Sequence, residues 1–267
     1  MIFVGVPLAA ESLMTIGSFP VTNSVVTTAI VSLGLLLTAL VIRTKQALVP
    51  RGIQNVVESI LEFVLGFMQQ VTNDRERARR FLPIVGTLFF FILFSNWLGI
   101  LPGVGSIGSW QIVHGERELI PLFRPAMSDL NTTLALAVFA IVATHLFGIT
   151  AIGIWKHANK FFQFGTIVQG FKKGGINIFV GLVEFVIGII ETIAEIAKVV
   201  SLSLRLYGNV FAGEVLLTVI GSLVAFIAPL PFIALELIVG IVQAMVFSML
   251  TLVFMTVLTE KPRAEGH

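Results

Sequence analysis

Residues 176–227 read INIFVGLVEFVIGIIETIAEIAKVVSLSLRLYGNVFAGEVLLTVIGSLVAFI. The stretch is apolar enough to lie in a lipid bilayer, and yet it contains six charged side chains: Glu184, Glu191, Glu195, Lys198, Arg205 and Glu214. A charge near the middle of a membrane helix costs about 3 kcal/mol even on lenient insertion scales. We therefore expect these side chains to face protein or water rather than lipid.

The spacing of the charges supports this expectation. Relative to Glu184, the next four charges stand 7, 11, 14 and 21 residues further along the chain. At about 100° per residue, these five charges fall within a helical stripe about 80° wide. Asn209 joins the stripe and Glu214 lies outside it. A stripe that stays in phase over this distance predicts one continuous helix, and no proline interrupts it.

The predicted helix is too long to stand upright in a membrane. At about 1.5 Å per residue, residues 176–227 span about 78 Å, whereas the hydrocarbon core is about 30 Å thick. We therefore expect a steep tilt, with the charged stripe against a partner. On this interpretation Leu202 and Asn209 lie on the partner's side of the helix, and Val200 lies on the opposite side.

Composition places the whole chain among membrane proteins. Of its 267 residues, 56% are hydrophobic and only 12% are charged, and the mean hydropathy is +0.99. The absence of cysteine excludes a disulfide framework, a thiol nucleophile and cysteine-type zinc sites.

The apolar segments predict an all-α polytopic membrane protein, with upright spanning helices, one in-plane amphipathic helix and a long, steeply tilted helical hairpin, in a single domain. Residues 1–20 are read as a lead-in on the outer side and residues 102–128 as a loop. Spanning helices are expected over 21–42, 81–101 and 129–155, the amphipathic helix over 52–72, the long helix over 176–227 and the last membrane helix over 232–258.

Two polar residues of the third spanning helix leave alternatives open. Asp129 stands where a helix cap would, and this structural role is favoured over a functional one. His145 lies inside the helix, where a histidine is either a hydrogen-bonded packing residue or a proton-relay group.

The inner part of the long helix also carries structural and functional alternatives. Lys198 follows Glu195 at i,i+3, so an ion pair within the helix is expected. Glu191 and Glu195, four residues apart, repel each other if both are ionised, so one of them is a candidate for holding a proton, or both line a solvated mouth.

The basic residues predict the orientation. One set of alternate loops, together with the C-terminal segment, collects thirteen Lys and Arg, whereas the opposite loops hold only Arg117 and Arg124. By the positive-inside rule, the N-terminus lies outside and the C-terminus lies in the cytoplasm.

Four segments carry a specific resemblance. They are NWLGILPG (96–103), DLNTTLALA (129–137), SLSLRLYGNVFAGEVLL (201–217) and LELIVGIVQAMVFSMLT (235–251). In this order they resemble the signature segments of subunit a of F-type ATP synthases, and the similarity extends from about residue 20 to 258. Tyr207 stands where the family usually has Phe, and Val199 where it often has Pro.

The resemblance implies a stator subunit of the bacterial inner membrane that conducts protons through two offset half-channels. It is not an enzyme on its own. The implied partners are a rotating ring of small c subunits that each carry a membrane carboxylate, the peripheral-stalk b subunits, the soluble F1 head, reached through the complex, and the lipid bilayer. No cofactor, metal or nucleic acid is implied.

The resemblance also assigns roles position by position. Arg205 corresponds to the essential arginine that faces the ring. Asn209, Glu214, Glu236 and Gln243 correspond to polar groups around it and along the outer half-channel, and Glu191 to the cytoplasmic half-channel. Glu195, Lys198, His145 and Asp129 are further candidates.

An ion-coupled secondary transporter is the alternative from another functional class, since it also places charges in the membrane. Such transporters commonly show internal repeats and matched broken helices, and neither is visible in this sequence. A purely structural scaffold has no use for a stripe of charges inside the membrane.

Overall fold

The computed structural model describes residues 10–44, 50–101, 107–113, 116–155, 157–158, 176–224 and 227–260. Its helices are α1 (Asn23–Thr44), α2 (Ile53–Thr72), α3 (Arg75–Ile100), α4 (Leu130–Ile152), α5 (Ile176–Leu223) and α6 (Pro229–Thr259). The described residues also form two small antiparallel hairpins, β1 (Ser12–Ile16) with β2 (Phe19–Thr22) and β3 (Gly108–Val113) with β4 (Glu116–Pro121). The all-α class is confirmed.

The two hairpins correct the interpretation of the outer segments. The lead-in contains β1 and β2, and β2 runs directly into α1. The segment read as a Gly- and Pro-rich loop contains β3 and β4, paired from Gly108 with Pro121 to Val113 with Glu116. The alternation of apolar and polar residues over short stretches such as WQIV predicts a strand only weakly, because turn-forming residues surround it. Tertiary contacts determine such strands more than intrinsic propensity does.

Four helices, α1, α3, α4 and α6, are long and apolar enough to cross a membrane among the described residues. The fifth long helix, α5, contains 48 residues and is therefore about 72 Å long. It runs without interruption through Val199, the position where the resemblance suggested a proline. The side chain of Glu184 lies outside the described residues.

Capping explains why α3 begins earlier than the apolar pattern suggests. The Asp74 side chain accepts hydrogen bonds from the backbone N–H groups of Glu76, at 2.8 Å, and Arg77, at 3.4 Å. An N-cap of this kind contributes about 1 kcal/mol. The helix consequently starts at Arg75 rather than at residue 81. Its first two turns contain four arginines that precede the predicted helix: Arg75, Arg77, Arg79 and Arg80. The basic loop between α4 and α5 lies almost entirely outside the described residues.

The last helix also begins earlier than predicted. Pro229 occupies its first turn, where the missing N–H of proline costs nothing. The long helix α5 ends at Leu223 rather than at residue 227, so residues 224–228, and not the predicted 228–231, separate it from α6.

The amphipathic helix α2 packs one side against α3. Its buried apolar residues are Val64, Leu65 and Met68. On the polar side Gln54 donates to Glu58 at 2.8 Å, and Glu62 pairs with Arg75 at 3.3 Å. Asn73 ends the helix in the left-handed conformation and donates its backbone N–H to Gln69.

The core lies where α3, α4, α5 and α6 meet. Small residues on α4, including the fully buried Ala137 and Ala140, let neighbouring helices approach closely. Phe81 of α3 meets Phe147 of α4 edge to face, with ring centroids 5.3 Å apart. The hydroxyl groups of Thr133 on α4 and Ser203 on α5 are hydrogen-bonded at 3.3 Å. This bundle holds the central part of α5 in place.

The C-terminal end of α3 lies very close to the backbone of the segment before α4. A Cβ atom added at Gly99 would overlap Pro125, including its backbone Cα at 2.7 Å. By contrast, an added Cβ at Gly66 of α2 meets nothing within 4 Å.

These two glycines provide a matched pair of tests. We expect Gly99→Ala to lower the unfolding free energy of the purified chain in detergent by about 1–3 kcal/mol, because the backbone of Pro125 must move. Gly66→Ala should leave it unchanged or raise it by about 0.5–1 kcal/mol, because alanine is the better helix former. Denaturant titration of both variants measures the difference. Equal stability of the two would contradict the close approach.

Candidate functional site

Arg205 lies on the uncovered face of α5. Ser201, Leu204 and Gly208 are exposed on the same face, and together with Arg205 they fall within an arc of about 100°. Among the described residues, none forms a hydrogen bond or ion pair with the Arg205 guanidinium. A permanently charged side chain in an apolar helix that no described residue pairs with indicates a partner beyond these residues.

The charged stripe coincides only in part with the uncovered face. Leu202, which was expected on the partner's side with Asn209, is 2% exposed and packs into the core of the bundle. Val200, which was expected on the opposite side, is exposed. That assignment was wrong because a stripe about 80° wide straddles the boundary between the packed and uncovered faces. Arg205 lies at its uncovered edge and Glu195 at its packed edge.

Two further residues lie within one turn of Arg205 on α5. Asn209 is half-buried and forms no hydrogen bond with the described residues. The ring of Tyr207 stacks on that of Phe211, with centroids 5.4 Å apart, so the replacement of the family's usual phenylalanine preserves an aromatic contact.

An ion pair lies toward the C-terminal end of α5. Glu214 accepts hydrogen bonds from Arg124, whose Nε lies 3.0 Å from Oε1 and whose Nη2 lies 3.2 Å from Oε2. Arg124 is 3% exposed, and its backbone N–H donates to the Thr27 hydroxyl of α1 at 3.3 Å. The pair therefore joins α5 to the segment before α4, and α1 packs against it. A two-point contact of this kind fixes the orientation of the carboxylate.

Glu236 of α6 lies against the same part of α5. A Cβ atom added at Gly213 would overlap the Glu236 carboxylate, so the missing side chain of Gly213 provides the space for it. Since Gly213 immediately precedes Glu214, the structure brings the two predicted glutamates to one region. Their carboxylates are not hydrogen-bonded to each other.

Gln243 stands seven residues after Glu236 on α6 and is half-buried. Between them, Gly240 packs against the Asn96 side chain and the indole of Trp97. The Trp97 indole N–H donates to the Leu237 carbonyl at 3.2 Å. The Asn96 amide is buried, and neither of its polar atoms is hydrogen-bonded within the described structure.

A second polar cluster lies between the C-terminal part of α4 and the middle of α5. Lys198 Nζ lies 2.6 Å from Glu195 Oε1, the expected intrahelical pair, and 4.9 Å from the centre of the Phe254 ring. His145 Nε2 lies 3.7 Å from Glu195 Oε2, and His145 Nδ1 lies 3.0 Å from Nε2 of His157. Glu191 is half-buried one turn before Glu195.

Asp129 adopts the structural role expected of it. Its side chain accepts the backbone N–H of Asn131 at 3.0 Å and caps α4.

Sequence reasoning missed two residues of these clusters. Arg124 was counted only as one of two basic residues on the outer side, although its isolation there was a signal that it serves a particular partner. His157 was not considered, because the helical pattern ends just before it and only its position 12 residues after His145 hinted at proximity.

Comparisons with known proteins agree with the resemblance. The profile of the family described as ATP synthase A chain matches residues 22–256. The chain is 32% identical over 239 residues to ATP synthase subunit a of Moorella thermoacetica, covering 90% of this chain and 91% of that protein. It is 33% identical over 226 residues to the subunit a of Campylobacter concisus, covering 85% of each chain. It is also 33% identical over 238 residues to that of Campylobacter jejuni, covering 89% of each.

The Arg124–Glu214 pair is testable by a double-mutant cycle. We expect Arg124→Met alone to cost about 3–5 kcal/mol of unfolding free energy, because it leaves a carboxylate without its cation. Arg124→Met combined with Glu214→Gln should cost clearly less than the sum of the single variants, with a coupling of about 1–3 kcal/mol. Denaturation of the four purified chains gives the cycle. Additive losses would show that the two side chains do not interact.

Proposed function

The chain belongs to the ATP synthase A chain family, and from this premise we propose that it is the proton-conducting stator subunit that couples proton flow to rotation of a ring of carboxylate-bearing subunits. As a member of that family it is a component of the membrane sector of ATP synthase, and ATP synthesis and proton transport follow from the family. Similarity to subunits a over about nine-tenths of the chain favours this function over a secondary transporter.

The observation that carries the proposal is that Arg205 lies on the uncovered face of α5, where none of the described residues pairs with it. A cation in this place is stabilised by a negative charge presented from outside the chain, and a ring of membrane carboxylates supplies such charges one after another. Arginine suits this function better than lysine, because it stays charged when buried and its planar fork can engage a carboxylate at two points.

A fixed cation also explains how leakage is prevented. Protons that crossed the membrane in one straight line beside the ring would not turn it, so the two access paths must be offset and separated. Arg205 holds each passing ring carboxylate in its ionised form and repels a proton that would move directly between the paths.

The polar groups on either side of Arg205 form the two paths. On the outer side these are Glu214, Glu236, Gln243 and Asn209, and the buried amide of Asn96 offers a further donor and acceptor there. On the inner side they are Glu191 and Glu195.

We expect Arg205→Ala to abolish ATP synthesis and ATP-driven proton pumping, because ring carboxylates no longer meet a counter-charge. Arg205→Lys should fail almost as completely, because lysine lacks the fork and loses its proton more readily when buried. The assay is ATP synthesis by membrane vesicles under an imposed potential. Matched controls are alanine variants of Leu204 and Ser201, which share the face without the charge. The proposal is wrong if Arg205→Ala keeps more than about a tenth of synthesis, a loss below about 1.4 kcal/mol in barrier height.

The orientation is tested by labelling with an impermeant thiol reagent, which has no background because the chain lacks cysteine. With the N-terminus outside and the C-terminus in the cytoplasm, Ser109→Cys between α3 and α4 should react from the outer face. Glu76→Cys, at the start of α3, should react only in inverted vesicles. Both positions are exposed. Labelling of both from one side would contradict the positive-inside assignment.

A further inference from the structure

Four ionisable side chains form a line of contacts between the C-terminal part of α4 and the middle of α5. His157 contacts His145, His145 faces Glu195, and Glu195 pairs with Lys198, with successive separations of 3.0, 3.7 and 2.6 Å. The two histidines come from α4 and the segment that follows it, and the other two residues come from α5. The line therefore crosses from one element to another and ends on the helix that carries Arg205.

A glycine of α4 leaves the space that His157 occupies in this line of contacts. An added Cβ at Gly148 of α4 would stand 2.8 Å from Cε1 and 2.9 Å from Nδ1 of His157. The backbone N–H of His157 donates to the Gly153 carbonyl at 3.0 Å. His157 is thus held from two sides, and it is 6% exposed.

The hydrogen bond between the imidazoles determines which nitrogen atoms carry protons. When His157 donates its Nε2–H to Nδ1 of His145, the other nitrogen of His145 carries the proton and directs it at the Glu195 carboxylate. The first arrangement is favoured while Glu195 is ionised. In the opposite arrangement His145 donates its Nδ1–H to Nε2 of His157, and the Nε2 lone pair of His145 can accept a proton.

The two histidines differ in access to solvent. The His145 side chain is 28% exposed, whereas His157 is only 6% exposed. A group that exchanges protons with water and passes them inward must touch both water and the acceptor, and His145 and Lys198 both do. Of the two, the imidazole is the group that takes up and releases protons readily near neutral pH.

From these contacts we infer that His145 is the proton-transfer residue of the inner half-channel, passing protons between cytoplasmic water and Glu195, and that His157 is a positioning residue that orients it. The inference rests on the proposed function. Lys198 offsets the charge of Glu195 when the carboxylate is ionised, so that Glu195 can both hold and release a proton.

The transfer step conserves the number of protons. In the pumping direction, the pair starts with the shared proton on Nδ1 of His145, and an Nε2–H bond forms on His145 as an O–H bond of hydronium breaks. The Nε2–H bond of His145 then breaks as an O–H bond forms at Oε2 of Glu195, which leaves the pair neutral. The hydrogen bond between the rings keeps one proton throughout. The 3.7 Å gap exceeds a hydrogen bond, so the ring must swing by about 0.5–1 Å or one water must bridge the two groups.

Placing glutamine at each histidine in turn separates transfer from structure. Glutamine can donate and accept hydrogen bonds but cannot carry a proton across. We expect His145→Gln to slow ATP-driven proton pumping by the intact complex in inverted vesicles by about tenfold. This is below the roughly 10²–10⁴-fold effect of a positioned acid–base group, because water replaces part of the path. His157→Gln should keep most of the rate, because its amide still donates to His145, whereas His157→Leu should lose it.

Two results would overturn the inference. One is equal pumping by His145→Gln and His157→Gln, since a purely structural pair responds alike at either end. The other is a wild-type rate in His145→Gln. The amount of complex extracted from the membranes normalises each rate.

A second variant keeps the test decisive if His145→Gln assembles poorly. Glu195→Gln removes the acceptor, and the double variant with His145→Gln should pump no more slowly than the slower single variant, because both act on one path. Multiplied losses would contradict a shared path. Arg205→Ala distinguishes the two proposals: if it fails as expected while the histidine variants pump normally, only the relay is wrong.

Discussion

A charge in the hydrocarbon of a membrane must be paired, and this constraint organises the chain around its arginines. Arg124 is satisfied internally, because Glu214 binds it at two points and the bundle buries it. Arg205 is directed to the uncovered face, where no described residue pairs with it. For Arg124 the compensating charge lies within the fold, whereas for Arg205 the proposed function places it on a second molecule. On that proposal, the arginine that the described residues leave without a counter-charge is the point of contact with the rotating partner.

Much of the architecture could be predicted because it depends on local signals. Stretches of about 20 apolar residues define the spanning helices, and the period of the charges indicates that α5 is one helix. Asp129 was identified as a cap from its position alone, and the Glu195–Lys198 pair from its i,i+3 spacing. The start of α3 was missed, although Asp74 two residues before Glu76 is a capping signal, because the arginines that follow resemble a loop when only hydropathy is considered.

Other features could not be predicted, because they depend on contacts between distant parts of the chain. Arg124 and Glu214 are separated by 90 residues, and a single sequence contains no record of their pairing. The side of α5 that packs against the bundle could not be deduced either: helical phase places the charges relative to one another, but only the neighbouring helices decide that Leu202 is buried and Val200 exposed. The functional assignments themselves came from specific segments rather than from periodicity, and the family comparison supports them at the level of the whole chain.

Two of the ionisable side chains, Glu236 and His157, occupy space that glycines leave free on α5 and α4. At Gly213 and Gly148 the deletion of a single carbon atom creates a recess that accepts a carboxylate in one case and an imidazole in the other. A recess constrains where a side chain can lie without forming a hydrogen bond to it, so the glycine itself does not occupy the lone pairs or protons of the group. For a protein that transports protons, this means that a glycine can position an ionisable side chain sterically, without forming a hydrogen bond that would compete for the proton to be transferred.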